Sequence, residues 1–437
     1  MSFLRRHGGL KFIPANRAKA IFSPKKSPWL IVGLLLVCGL ILFFLGWRWL
    51  AFYPSSNRPT GVSATEDRLA REALQLKLSR PPDRMDVAYW IAERNLAGQH
   101  PAEAIVCLDQ IPTDHSRYGR MARFQEGSAL LQLHRAVESE QQLRELIAAE
   151  EAEPQLEPRY VINARQNLRH ILEVELRFEE RRDLLRGVID RGEEDPFEAV
   201  VGCFPSLLRW NGPNAMKWLD QFRDAGPASP FLEIAFGRYR TAQGKAQEAR
   251  PILEAVVKQH PSNLRAVAAL VICLRESDDM EEARRRMEAL PPQSANDPWW
   301  LLTQRGWFLL QNGQPELAAA AYEELLKQDR TSSEAWQGLA EALRLLKNTP
   351  RRTQALQMVG VLGRIQNYLG KPVHDASNPD AFLDVADLCA EIPLVREGAV
   401  MTRTALRLAP SNERVVATVK RYRELLEAEH LPPLLGP

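Results

Sequence analysis

A chain of 437 residues is long enough for two or three globular domains or one extended solenoid, and an apolar share of 45% excludes a largely disordered protein. The formal net charge of +2 hides an asymmetry: residues 1–29 carry Arg5, Arg6, Lys11, Arg17, Lys19, Lys25 and Lys26 but no acid, and the first carboxylate is Glu66. Without those seven, 50 basic residues face 55 acidic ones, so the bulk lacks the basic field that nucleic-acid binding needs, and no nucleic-acid partner is expected.

In chain order, residues 1–28 read as a basic cytoplasmic tail and 29–50 as a transmembrane helix. From Trp29 to Trp47, 19 residues pass without a charge; at about 1.5 Å per residue they cover roughly 28 Å, close to a bilayer's hydrocarbon thickness. Trp29, Trp47, Trp49 and Tyr53 sit at its ends, where amphipathic rings favour the interface. The exit GWRWLAFYP is bulky throughout, unlike a signal-peptide cleavage site. Val37 before Cys38 does not suit a lipoprotein signal either. The segment therefore reads as an uncleaved anchor, with the N-terminus cytoplasmic and the bulk outside. Residues 51–64 are polar and Pro-containing, as in a flexible stalk.

Beyond that stalk apolar residues recur at spacings of three and four, and no stretch alternates as a strand would. An all-α fold is predicted: divergent helical hairpins over 65–229, regular units over 230–412, and a capping helix with tail over 413–437. Residues 85–115, 119–149, 158–190 and 195–225 each read as a hairpin. Cys38, Cys107, Cys203, Cys273 and Cys389 lie far apart, with no CxxC and no His at ligand spacing. Free thiols are expected, with no disulfide framework and no metal site.

The regular units repeat a spacing. Gly237, Ala249, Leu253 and Pro261 are followed 34 residues on by Val271, Ala283 and Met287. Gly306, Ala318 and Tyr322 come next, then Trp336, Leu339 and Ala340, and finally Phe382, Ala386, Gly398, Ala405 and Pro410. A spacing stretched from 34 to 46 before Ala386 marks an insertion at about 347–380.

This pattern resembles the tetratricopeptide repeat (TPR). The resemblance implies an all-α, TPR-like alpha-solenoid, a right-handed superhelix of helical hairpins stacked on a continuous core. Gly237 or Gly306 would meet Ala249 or Ala318 where the two helices of a hairpin cross. Bulky positions would fill the gap to the next hairpin, and Pro261 and Pro410 would stop second helices. The family's concave surface is lined by first helices and takes partner proteins or peptides. In this register it comprises Phe231, Arg238, Arg265, Arg275, Trp300, Trp307, Gln311 and Arg344. Arg and Trp are the types most enriched at binding hot spots. The bland alternative makes these Trp core and pairs these Arg with Glu276, Glu334 and Glu341.

No phosphate-binding loop, dinucleotide fingerprint, nucleophile elbow or H-E-x-x-H occurs. The expectation is therefore no enzyme, no catalytic residue, no cofactor and no metal. What remains is a membrane-anchored TPR scaffold mediating protein–protein interactions in bacterial envelope complex assembly, at the outer face of the cytoplasmic membrane. The alternatives are a peptide-sensing regulatory subunit or an accessory subunit of a membrane enzyme complex.

Overall fold

The described residues of the computed structural model run from 64 to 437, apart from 76, 79, 208–212 and 436–437. Twenty α-helices and no strand occur among them. After α1 (Ala64–Gln75) come α2 (Arg84–Ala97) with α3 (Pro101–Leu108), α4 (Gly119–Gln132) with α5 (Ala136–Ala152), and α6 (Pro158–Val174) with α7 (Phe178–Arg191). The short α8 (Pro196–Cys203) and α9 (Pro213–Ala225) follow. Five pairs come next: α10 (Pro230–Ala242) with α11 (Ala246–Gln259), α12 (Leu264–Glu276) with α13 (Met280–Glu288), and α14 (Trp299–Gln311) with α15 (Pro315–Gln328). The series continues with α16 (Ser333–Leu345) and α17 (Thr349–His374), then α18 (Pro379–Cys389) and α19 (Val395–Leu408), and ends in α20 (Glu413–Ala428). The membrane segment expected over 29–50, with the basic tail and most of the stalk, lies outside the described residues. Among those described, no helix is long and apolar enough to cross a membrane.

Local chemistry sets the turns. In seven pairs one residue between the two helices takes a left-handed φ of 55° to 76°: Gln99, His134, Leu176, Gly244, Asp278, Gly313 and Lys347. That single reversal folds the second helix back antiparallel to the first. Between pairs, Asn263, Ser332, Asn378 and Asn412 accept backbone N–H groups at the starts of α12, α16, α18 and α20. These caps satisfy amides that the first helical turn leaves unpaired.

Packing inside the hairpins centres on the glycines. A Cβ on Gly237 would lie 2.6 Å from Leu253, and one on Gly306 would lie 2.5 Å from the Tyr322 ring. The glycine thus faces the bulky residue sixteen positions later. Gly127 faces Leu143 in the same way. Tyr322 lies under Gly306 on one side and Gly338 on the other, so one ring fills the contact between two successive hairpins. Ala249, Ala283, Ala318, Ala340, Ala386 and Ala405 are all buried in the cores around these contacts. Pro261 and Pro410 lie just past the ends of α11 and α19, and Trp336 donates its indole N–H to the Arg330 carbonyl (2.8 Å).

One expectation takes a definite form and another needs correction. The insertion at about 347–380 is mostly helix: α17 runs for 26 residues, about three turns longer than α15 with its 14. The hairpin expected at 195–225 does not close on itself. Instead α9 packs on α6 and α10, whereas α8 packs on α7, α17 and α19. Ala199, Val200, Cys203 and Phe204 are buried there with Leu362, Leu383, Val400 and Tyr422. The eight-residue α8 buries its apolar side chains against α17 and α19 instead. The repeat stack therefore doubles back onto residues some two hundred positions earlier.

Candidate partner-binding surface

The first helices α10, α12, α14 and α16 bring the expected groove residues into three distinct settings. At the amino ends of these helices, Phe231 lies under the Arg177 guanidinium, 4.1 Å from its ring centroid. Arg265 pairs with Glu179 at 3.1 Å and with Glu180 at 3.6 Å. The backbone N–H of Trp299 donates to Glu179 (3.0 Å), and Arg182 donates to the Gln328 carbonyl (2.8 Å). Helix α7 thus crosses the amino ends of α10, α12 and α14, and Phe231 and Arg265 are engaged by the chain itself. They are not open groove positions.

Further along the same helices, two guanidinium–indole stacks form. Arg238 on α10 lies over Trp300 on α14, 4.9 Å from the ring centroid, and so bridges two hairpins across α12. Arg275 on α12 lies over Trp307, 3.9 Å from the centroid, and donates to Gln304 (2.5 Å). All four side chains are half-buried. Burial lowers the Arg275 guanidinium, while the charges of Glu276 and Glu334 act in the opposite direction. Arg275 forms no ion pair among the described residues. Stacking on an indole covers one face of the guanidinium.

The last two positions are plain surface. Gln311 is exposed at the end of α14. Arg344 is exposed and paired with Glu341 at 2.6 Å, as the bland alternative anticipated for that residue. Among the described residues no group of His, Cys, Asp and Glu is placed to hold a metal ion, and Cys107, Cys203, Cys273 and Cys389 are buried free thiols. Sequence reasoning missed Arg177, Glu179, Glu180 and Trp299. Nothing in a run such as FEERRD separates a strap across another hairpin from an ordinary solvated face.

The fold and this surface define an α-solenoid of helical hairpins suited to protein–protein interaction. Within it, residues 240–305 and 298–342 each match a tetratricopeptide repeat model, so the chain carries repeats of that family. None of the curated proteins compared matches the chain. Similar solved structures include the APC/C hetero-tetramer Cut9–Hcn1, at 14% identity over 82% of this chain and 68% of that one, with a TM-score of 0.33. Pseudomonas aeruginosa pilF matches at 16% identity over 57% and 98%, TM-score 0.29. The human IFIT1 dimer with m7Gppp-AAAA matches at 11% over 85% and 88%, TM-score 0.33.

Proposed function

We propose that this protein is a membrane-anchored scaffold that binds a segment of a partner protein on the open part of its first-helix surface. The observation that carries the reading is the pair of half-buried stacks, Arg238 on Trp300 and Arg275 on Trp307. Each presents a flat apolar anchor beside a forked donor, the combination that recognises a carboxylate-bearing peptide. The anchor reading rests on the uncharged run Trp29–Trp47 behind seven cations, which directs the solenoid outward and suits a role in bacterial envelope complex assembly.

Affinity capture with the detergent-solubilised full chain tests it. Arg275→Ala and Trp307→Ala should each lose captured partner by about thirtyfold in affinity, the usual consequence of removing a hot-spot side chain. Arg284→Ala, on the outer helix α13, should change nothing. Equal capture by all three variants removes the groove from consideration. A reporter that fluoresces only in the cytoplasm, fused after Pro437, should stay dark; a bright signal reverses the orientation.

A further inference from the structure

Where the stack doubles back, a cavity of ≈ 80 Å³ opens between α7–α8, the turn after α15 and the start of α19. About 10–15 Å³ of such space already admits one water, so a group of several atoms fits. Its lining carries five cations, Arg182, Arg186, Lys327, Arg330 and Arg396, against two acids, Asp329 and Glu397. Three of the cations are committed elsewhere: Arg182 donates to Gln328 and Asp183, Lys327 pairs with Glu324, and Arg396 pairs with Asp190. Arg186 and Arg330 form no ion pair among the described residues, although both are exposed at the surface.

Neither acid forms an ion pair with Arg186 or Arg330 among the described residues. Asp329 already accepts from Ser206 and from the Thr331 N–H (2.9 Å) and hydroxyl (2.6 Å). Glu397 is half-buried, and its Oε2 is shielded without a hydrogen-bond partner among the described residues. Burial raises the Glu397 carboxyl, against an opposing backbone hydrogen bond and the charges of Arg330 and Arg396.

We infer that this cavity is an oxyanion site, in which Arg186 and Arg330 hold a carboxylate or phosphate group from opposite walls. Arg186 belongs to α7 and Arg330 to the turn between α15 and α16, so an occupant joins the two parts of the chain that meet at the closure. This inference goes beyond the scaffold reading and does not depend on it, because a small anion can be tested without any partner protein.

Calorimetric titration of the detergent-solubilised full chain, in phosphate-free buffer of low ionic strength, uses two probes: inorganic phosphate and a capped hexaglutamate peptide. Saturable binding is expected for at least one. Phosphate binding points to a free or esterified phosphate as the natural occupant, and peptide binding alone to an acidic protein segment. Arg186→Ala and Arg330→Ala should each weaken that binding about tenfold or more, since each removes a charge-assisted donor pair. Arg284→Ala should leave it unchanged. Both positions are exposed, so melting curves should match the wild type; if Arg186→Ala melts early, Arg186→Gln replaces it. No saturable binding of either probe overturns the site. So does binding that the three variants weaken equally, which marks diffuse attraction to the surface.

Discussion

Arg265 on α12 holds Glu179 on α7 at 3.1 Å, with both side chains largely shielded from water. This pair, rather than any bound peptide, accounts for the amino end of the groove in the free protein. Removing either partner should loosen α7. A double-mutant cycle with Arg265→Ala and Glu179→Ala, followed by chemical denaturation, should give a coupling of about 1 kcal/mol. Hydrogen exchange over Phe178–Arg191 should quicken in both single variants. Additive effects and unchanged exchange would show that α7 is held by its apolar contacts alone.

Gly306 tests the packing rule more severely. A leucine there must displace the Tyr322 ring, which Gly338 blocks from the other side. Gly306→Leu should cost about 1–3 kcal/mol, the usual range for overpacking a filled core. Tyr322→Leu in the same chain should recover part of that loss by making room. An unchanged denaturation midpoint for Gly306→Leu would refute the contact.

Lys347 predicts a gain. It is exposed and holds the left-handed turn between α16 and α17 at φ 55°. L-residues other than Asn and Asp enter that region at a cost, whereas glycine does not. Lys347→Gly should raise stability by up to about 1 kcal/mol, visible as a higher melting temperature. A fall in melting temperature would mean that the lysine stem packs on its neighbours more than its backbone costs.

Two buried groups give opposite pH dependences. Burial pushes Glu175 up to about 7, because the one adjacent guanidinium, Arg177, is shared with Glu140 and Glu180. Burial against Trp218 and Phe222, reinforced by the Arg169 charge, brings His170 down to about 4. Folded Glu175 keeps a proton that the unfolded chain releases near 4.5, so its contribution is present at low pH and lost as pH rises to about 7. Folded His170 lacks a proton that the unfolded chain holds below 6.5, so its contribution is present above 6.5 and lost as pH falls to about 4. Glu175→Gln should make the melting temperature climb more steeply between pH 4.5 and 6.5, and His170→Gln should flatten or invert that climb. Parallel profiles for all three proteins would place both groups in water.

The hairpins from α10 to α16 were legible because their packing needs small residues at fixed intervals, and Gly237, Gly306 and Ala340 leave that mark in the sequence. The earlier hairpins were less legible for a specific reason. They use the same left-handed turn as Gly244 and Gly313, but place Gln99, His134 and Leu176 in it, so the backbone signal carries no glycine. Which bulky side chain fills the space over each glycine was not readable, because helix crossing depends on tilt, which spacing alone does not report. Of the candidate surface, the residue types were readable, and their division into stacked, strapped and exposed sets was not. That division depends on Arg177, Glu179 and Glu180 at the start of α7, whose partners Phe231 and Arg265 lie in later hairpins.

Arg403 closes the circuit. Its guanidinium reaches Glu194 (3.1 Å), the Ile189 carbonyl (2.6 Å) and the Leu434 carbonyl (3.0 Å), while Arg407 holds Glu194 as well. An open solenoid tolerates duplication or deletion of a unit, because each repeat touches only its neighbours. Here a change of one hairpin between residues 204 and 394 would slide Arg403 away from Glu194 and the Ile189 carbonyl at once. The number of units in that interval is therefore counted by the molecule itself. Folding must also wait for a loop of about two hundred residues to close, which slows the final step and makes unfolding of this interval concerted rather than unit by unit.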